Sequence, residues 1–258
     1  MRTIFLIAAA GVVTESVFGG LDPNPLGTAA PFAVLGGSTV TSTGNTVVNG
    51  NLGVYPGLAI TGFPPGIVVG ITYSGGAIAQ QAQADARSAF TTLGLETPTQ
   101  NLTGTDLGGL TLSPGIRNFN SSAQLTGTLI LDAGGNSNAR FDFLIGSTLT
   151  TATDSKVTLI NGARADNVYW RIGTSATLGT GTSFFGDILA DQSITFVTRS
   201  TLYGRALALT GAVTMDNNII TVPSGVPEVG DAWSFAAVCL GVVGYRWTVS
   251  RRRAQMVA

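Results

Sequence analysis

Residues 177–191 read TLGTGTSFFGDILAD, and residues 195–209 read TFVTRSTLYGRALAL. Laid over one another, they align Gly186 with Gly204, 18 residues apart, each after a Thr/Ser-rich start and before apolar residues. VTSTGNTVVNGNLGV (Val40 to Val54) and NFNSSAQLTGTLILD (Asn118 to Asp132) follow the same plan on Gly50 and Gly127. A unit this short buries its apolar side only by stacking on its neighbours. It holds about three short strands joined by tight corners, where glycine takes positive φ without a Cβ clash. Alternation along each strand sends one set of side chains inward and the other outward. In Leu202 to Leu209 the leucines and small residues suit a narrow core. The expected fold is mainly β: a β-solenoid, or β-helix, of roughly triangular section.

The repeats are interrupted between Leu58 and Leu112. There Gly75-Gly76 is followed by AIAQQAQADARSAFTTLGLE, in which Ile78, Ala82, Ala89 and Leu93 share one face at helical spacing. Ala and Gln favour helix. The spacing predicts a helix over about residues 77–93, with Gly94 just past its end. Its small-residue stripe fits it to lie close along a solenoid wall.

The ends read differently. Met1 to Val13 (MRTIFLIAAAGVV) has a short basic start and an apolar run of signal-peptide length, with cleavage expected somewhere between Ser16 and Ala30. At the other end, Val226-Pro227-Glu228 precedes the apolar run Ala232 to Val249 and then Arg251-Arg252-Arg253. That run has the length of a membrane span, and the arginines suit its cytoplasmic side. The pattern resembles the C-terminal sorting tails of Gram-negative exported proteins. The resemblance implies a sorting protease and membrane anchoring through residues 232–249, temporary or lasting. The organisation expected is therefore 1–27 as signal peptide and linker, 28–224 as the solenoid domain, and 225–258 as sorting signature, transmembrane helix and Arg-rich tail. The product is exported, extracellular or at the cell surface.

Composition narrows the chemistry. Only 10% of residues are charged, against about 25% in an average globular chain. With 35 Gly and 44% hydrophobic residues, the chain has a core but draws its solubility from neutral polar groups. The net charge of −1 leaves no basic surface for nucleic acid. There is no histidine and a single cysteine, Cys239, which removes His-based triads, imidazole metal sites and disulfides. No histidine or cysteine metal site is expected.

Over about Pro31 to Val222 the chain resembles the microbial ice-binding (antifreeze) proteins of fungi, algae and bacteria. The resemblance is carried by PFAVLGGSTVTSTGNTVVNGNLGVYPG, ITYSGGAIAQQAQADARSAFTTLG, SAQLTGTLILD, VTLINGARADNVYWRIGTSATLGTGTSFFGDILA and LYGRALALTGAVTMDNNIIT, in that order. It implies a discontinuous solenoid whose first coil sits out of sequence order, with the helix alongside. It also implies no catalysis, no cofactor, and ice as the partner of one flat, neutral, Thr/Ser-rich face; the chain is expected to be a monomer. The family's Thr-(Ala/Gly)-x-(Thr/Asn) pattern matches Thr43-Gly44-Asn45-Thr46, and Thr180-Gly181-Thr182-Ser183 comes close. Thr151-Ala152-Thr153-Asp154 ends in a charge, and Thr198-Arg199-Ser200-Thr201 carries Arg in the small position. The candidate ice-binding set is thus Thr43, Asn45, Thr46, Thr151, Thr153, Thr180, Thr182, Ser183, Thr198, Ser200 and Thr201. Its departures from the pattern point to weak to moderate affinity.

Two rival readings have a sequence basis. A polysaccharide-active enzyme needs two carboxylates converging across a cleft, and Asp142, Asp187, Asp191 and Asp216 are the candidates. An adhesive or structural surface protein could use the same solenoid as a spacer, since fold alone does not fix function.

Overall fold

The computed structural model describes residues 25–223. The expected signal peptide, sorting signature, transmembrane helix and Arg-rich tail lie outside the described residues. Within them, no helix is long and apolar enough to cross a membrane. The fold already includes Leu26, which is buried, and Thr28, whose N–H donates to Asp85.

Short parallel strands stack into three walls of nine, seven and eight strands. Each coil visits the first wall, then the second, then the third. The coil starting at Val168–Ile172, for example, continues through Ala176–Leu178 to Ser183–Phe185. The 18-residue repeat is real in the later coils: Ile188 pairs with Ala206, and Trp170 with Ile188. Of the four glycines aligned by sequence, Gly50, Gly186 and Gly204 share the corner between third and first walls. Gly127 instead precedes Thr128–Asp132 at the corner between second and third walls. At the shared corner the coils pass very close: a Cβ on Gly204 would lie 2.0 Å from the Gly186 carbonyl oxygen, at φ 157°.

The stack does not follow chain order. Phe32–Gly36 pairs on one side with Ala206–Ala208 and on the other with Asn51–Val54. The N-terminal coils therefore sit beyond the C-terminal coil, at the far end of the stack. Helix α1 (Gly76–Gly94) carries the chain back. Its 19 residues span roughly 28 Å, while the nine strands of the first wall cover about 38 Å at ~4.8 Å each.

The helix buries Ala79, Ala82, Gln83, Ala86, Ala89 and Leu93. Ile78, expected on that face, is 55% exposed. The helix lies on an outward column of the first wall, with Leu35, Leu207, Leu189, Arg171 and Leu144 in register. Leu207 thus points to the helix, whereas its neighbours Ala206 and Ala208 face the central core. Gln83 donates to the Ala208 carbonyl and Arg87 to that of Leu209. Gly94 belongs to the helix rather than following it; the cap is Leu95. The missing Cβ at Gly94 leaves room for Arg171, whose guanidinium lies over the Phe90 ring. The central core is aromatic in the middle coils, where Trp170 stacks on Phe143 at 3.8 Å and donates to the Phe185 carbonyl. It becomes aliphatic toward Val34, Val40 and Val48.

Candidate functional site: a hydroxyl-bearing wall

The second wall runs Ala123–Leu125, Leu149–Thr151, Ala176–Leu178, Ile194–Phe196, Val213–Asp216, Thr39–Thr43, Ala59–Thr61. Most of these strands have an outward residue between two inward ones. Ala176 and Leu178 are buried around Thr177, Ile194 and Phe196 around Thr195, and Val213 and Met215 around Thr214. The pairing brings the outward residues into one rank: Gln124, Thr150, Thr177, Thr195, Thr214, Thr41 and Thr61, the last at the end of its strand. Six consecutive rungs are threonine. Adjacent strands lie ~4.8 Å apart, and β-branching limits each χ1, so methyls and hydroxyls repeat at a fixed spacing. Two residues upstream a second hydroxyl rank runs alongside, from Ser122 and Thr148 through Ser175 and Ser193 to Thr39, broken by Ala212 and ending before Ala59. Thr148 donates to Ser122 at 2.8 Å.

The eleven residues singled out by motif divide three ways. Thr43, Asn45, Thr153, Thr180 and Thr198 stand at the margin of the second wall, where it turns toward the third; Thr43, Asn45 and Thr153 are exposed and Thr180 and Thr198 half-buried. Ser183 and Thr201 belong to the third wall, in register with each other. Thr46, Thr151, Thr182 and Ser200 are buried, at 0 to 3% exposure. The second group faces a different direction and the third cannot meet any external surface.

The buried group has its own logic. Ser155, Thr182, Ser200, Asn218 and Thr46 follow one another up the inside of the corner, each just before the third-wall residues that pair (Lys156, Ser183, Thr201, Ile219, Val47). At such a corner the chain leaves sheet pairing, and its polar groups need other partners. Thr182 shares a 2.8 Å hydrogen bond with Thr151, and its hydroxyl also lies 3.2 Å from the Ala152 carbonyl. Ser155 donates to the Leu125 carbonyl. Asn218 donates to the carbonyls of Val197 and Ser200, and accepts from the Asp216 N–H. The segments matched to the Thr-(Ala/Gly)-x-(Thr/Asn) pattern therefore span a corner, and Thr46 and Thr182 belong to its interior.

The central rank was missed because no spaced motif marks it. Its signal is an apolar-Thr-apolar triplet: Ala176-Thr177-Leu178, Ile194-Thr195-Phe196, Val213-Thr214-Met215.

Charge stays at the margin of the wall. Asp216 accepts from Thr198 and, at 3.0 Å, from Thr43. These hydroxyls, Thr198 foremost, hold its carboxyl below the usual carboxylate range. Asp154 and Arg199 sit exposed on the corner with φ of 57° and 61°.

The carboxylates considered for catalysis do not share an open cleft. Asp142 and Asp187 lie under cover on the first wall, paired with Arg140 and Arg205. Burial pushes Asp187 up to about 6, against the pull of Arg205. Burial likewise raises Asp142 to about 7, opposed by Arg140 and reinforced by Glu96. Asp216 is on another wall. Among the described residues no cluster of His, Cys, Asp or Glu gathers as a metal site.

A discontinuous parallel solenoid, closed by one returning helix and bearing a neutral wall of ranked hydroxyls, defines a specific class of protein. The sequence pattern of the Ice-binding-like family matches residues 34–221, and the chain belongs to that family. It is 55% identical over 197 residues to an ice-binding protein of Nostoc sp. (strain HG1), covering 76% of this chain and 73% of that one. The fold is similar to that of an ice-binding protein from an Antarctic biological consortium, at TM-score 0.77 and 45% identity, over 79% of this chain and 92% of that one. It is also similar to the ice-binding protein of the Antarctic ascomycete Antarctomyces psychrotrophicus, at TM-score 0.76 and 39% identity, over 80% of this chain and all of that one.

Proposed function

We propose that this protein binds ice through its second wall and thereby restrains ice growth or recrystallisation. The observation that carries this reading is the unbroken rank of six threonines, Thr150, Thr177, Thr195, Thr214, Thr41 and Thr61, with the Ser/Thr rank beside it. Such a wall loses little conformational entropy on docking, because backbone pairing and β-branching have already ordered it. Water held over a regular array of hydroxyls and methyls can join a growing lattice. Charged groups, which would hold differently shaped hydration shells, are kept to the corner and to Asp106, beyond Gln124 at the end of the rank. The contact set is the central rank with its flanking hydroxyls; Thr43, Asn45, Thr153, Thr180 and Thr198 form its margin. The chain acts as a monomer without cofactor or catalysis. The apolar run at residues 232–249 supports an exported, surface-anchored protein. The test is uptake into slowly growing ice. The full chain should enrich in the ice fraction, and its retention in the liquid would refute ice binding.

A further inference from the structure

Residues 25–84, which build the far end of the stack and the start of the helix, contain no Asp, Glu, Lys or Arg. On the third wall of these coils Ile219, Val47 and Ile67 stand in register, next to a column of Tyr203, Thr221, Asn49 and Val69. Ile67, Val69 and Ile219 are 58, 60 and 49% exposed, and Ile71, at the corner beyond Val69, is 57% exposed. Single exposed aliphatics need no explanation, but a contiguous uncharged group marks an interaction surface.

The chain leaves the described fold on this same wall. Ile219–Thr221 is the last strand among the described residues, and Pro223 lines a cavity of about 230 Å³ with Phe185, Tyr203 and the Arg164–Asp166 ion pair, which marks the lower edge of the uncharged area. From there residues 224–231 lead to Ala232, where the apolar run begins. Fully extended, that stretch reaches at most about 29 Å.

We propose that the upper third wall, through Ile67, Val69, Ile71 and Ile219 with Tyr203 beside them, rests on the surface of a lipid bilayer. The proposal depends on Ala232 to Val249 spanning that bilayer. A short tether holds the patch near lipid at high effective concentration, whereas a second copy of the chain must arrive by diffusion. A neutral surface escapes the cost of desolvating charge, and tyrosine favours the interface. Ile67–Val69 is the last strand of its sheet. Its unpaired backbone groups cannot enter hydrocarbon, so docking stops at the headgroups. The triangular section then turns the hydroxyl wall away from the membrane.

The test uses the full chain carrying Cys239→Ser and one new cysteine, Val69→Cys or, at the other end of the same wall, Thr128→Cys. Each is labelled with a fluorophore and reconstituted into phosphatidylcholine vesicles bearing a headgroup nitroxide. Quenching should be several-fold greater at position 69 than at 128, and Ile67→Asp with Ile219→Asp should remove the difference while the protein still floats with the vesicles. Flotation with equal quenching at both positions overturns the docking and leaves the anchor standing. Failure to float refutes the anchor and the docking with it. Burial of the probe at 69 that rises with protein concentration without vesicles assigns the patch to a second copy, and likewise overturns the proposal.

Discussion

Thr195 and Thr182 carry the same side chain and lie 13 residues apart in sequence, yet they should fail in opposite ways. Thr195 faces outward between Thr177 and Thr214. Tyrosine is a good strand residue, so Thr195→Tyr should change stability by no more than about 0.5 kcal/mol. Its ring would hold an ice surface away from at least three rungs, positions 177, 195 and 214. If each rung contributes ~0.5 kcal/mol, the low end for a net hydrogen bond, the loss is roughly 1.5 kcal/mol, or about tenfold in affinity. Thr182 is fully buried, bonded to Thr151 and close to the Ala152 carbonyl. Thr182→Val keeps the shape and removes the bonds to Thr151 and the Ala152 carbonyl, which keep only those from the Gly179 and Ser155 N–H groups, at a cost of about 1–3 kcal/mol. For a domain of this size that lowers Tm by roughly 2–12 °C. The assay pairs thermal unfolding with uptake into slowly growing ice near 0 °C, where both variants remain folded. The expected result is a double dissociation: Thr195→Tyr loses uptake and keeps its Tm, while Thr182→Val loses Tm and keeps its uptake. Loss of uptake in Thr182→Val at unchanged Tm, with Thr195→Tyr behaving as the unaltered chain, would refute the assignment of the wall.

Further outcomes follow from the same geometry. Arg199, exposed at φ 61° and in the same corner position as Gly181, carries a left-handed cost of about 1–2 kcal/mol. Set against glycine's greater unfolded-state freedom of roughly 0.5–1 kcal/mol, Arg199→Gly should be neutral to slightly stabilising in a thermal melt and should not reduce ice uptake. Gly204→Ala places its Cβ 2.0 Å from the Gly186 carbonyl oxygen; the coils must part, and folded protein should be lost from the soluble fraction, as assayed by circular dichroism. Stability should also depend on pH from both sides. Asp187 and Asp142 are raised in the fold, so the native state binds more protons than the unfolded chain and stability falls as pH rises from about 4 toward 6 and 7. Asp85, Asp106 and Asp216 are lowered, so their contribution is present above their ordinary value and is lost as pH falls below it. Tm should peak in mildly acid solution; a Tm that climbs steadily from pH 5 to 8 contradicts the buried positions of Asp142 and Asp187.

The solenoid was legible because stacking and corners leave strong traces: glycines 18 residues apart, and alternation within each run. The helix was legible from its alanine spacing, although Ile78 misled, since an apolar residue at helical spacing does not reveal which arc meets the wall. The site was harder to read. The Thr-(Ala/Gly)-x-(Thr/Asn) segments are conspicuous because they span a corner, where hydroxyls such as Thr46 and Thr182 satisfy backbone groups from inside. The rank that faces outward needs only one threonine per coil, flanked by core residues, and that pattern looks like any half-buried strand. Gly127 shows the same difficulty: aligned by its neighbours, it fell on the wrong corner, because insertions lengthen the coils around Ala133 and Asn161. Register comes from strand pairing, and pairing across 173 positions, as between Thr41 and Thr214, leaves no mark in a local window.

The displaced order of the coils has a direct consequence for the wall. Stacked in chain order, its central rank would run Thr41, Thr61, Gln124, Thr150, Thr177, Thr195, Thr214, with glutamine in third place. Gln124 has a longer, more flexible side chain and no β-branch, so it would divide the threonines into groups of two and four. In the fold, the N-terminal coils dock beyond Val213–Asp216 instead, and Thr214 meets Thr41 at the junction. Gln124 is left at the margin, and all six threonines become consecutive. Helix α1 makes that order possible by returning the chain from Thr72–Ser74 at one end of the first wall to Gln100–Asn101 at the other. The helix thus contributes to the continuous hydroxyl array without touching it: its role is to let two N-terminal threonines complete a surface begun by residues far downstream.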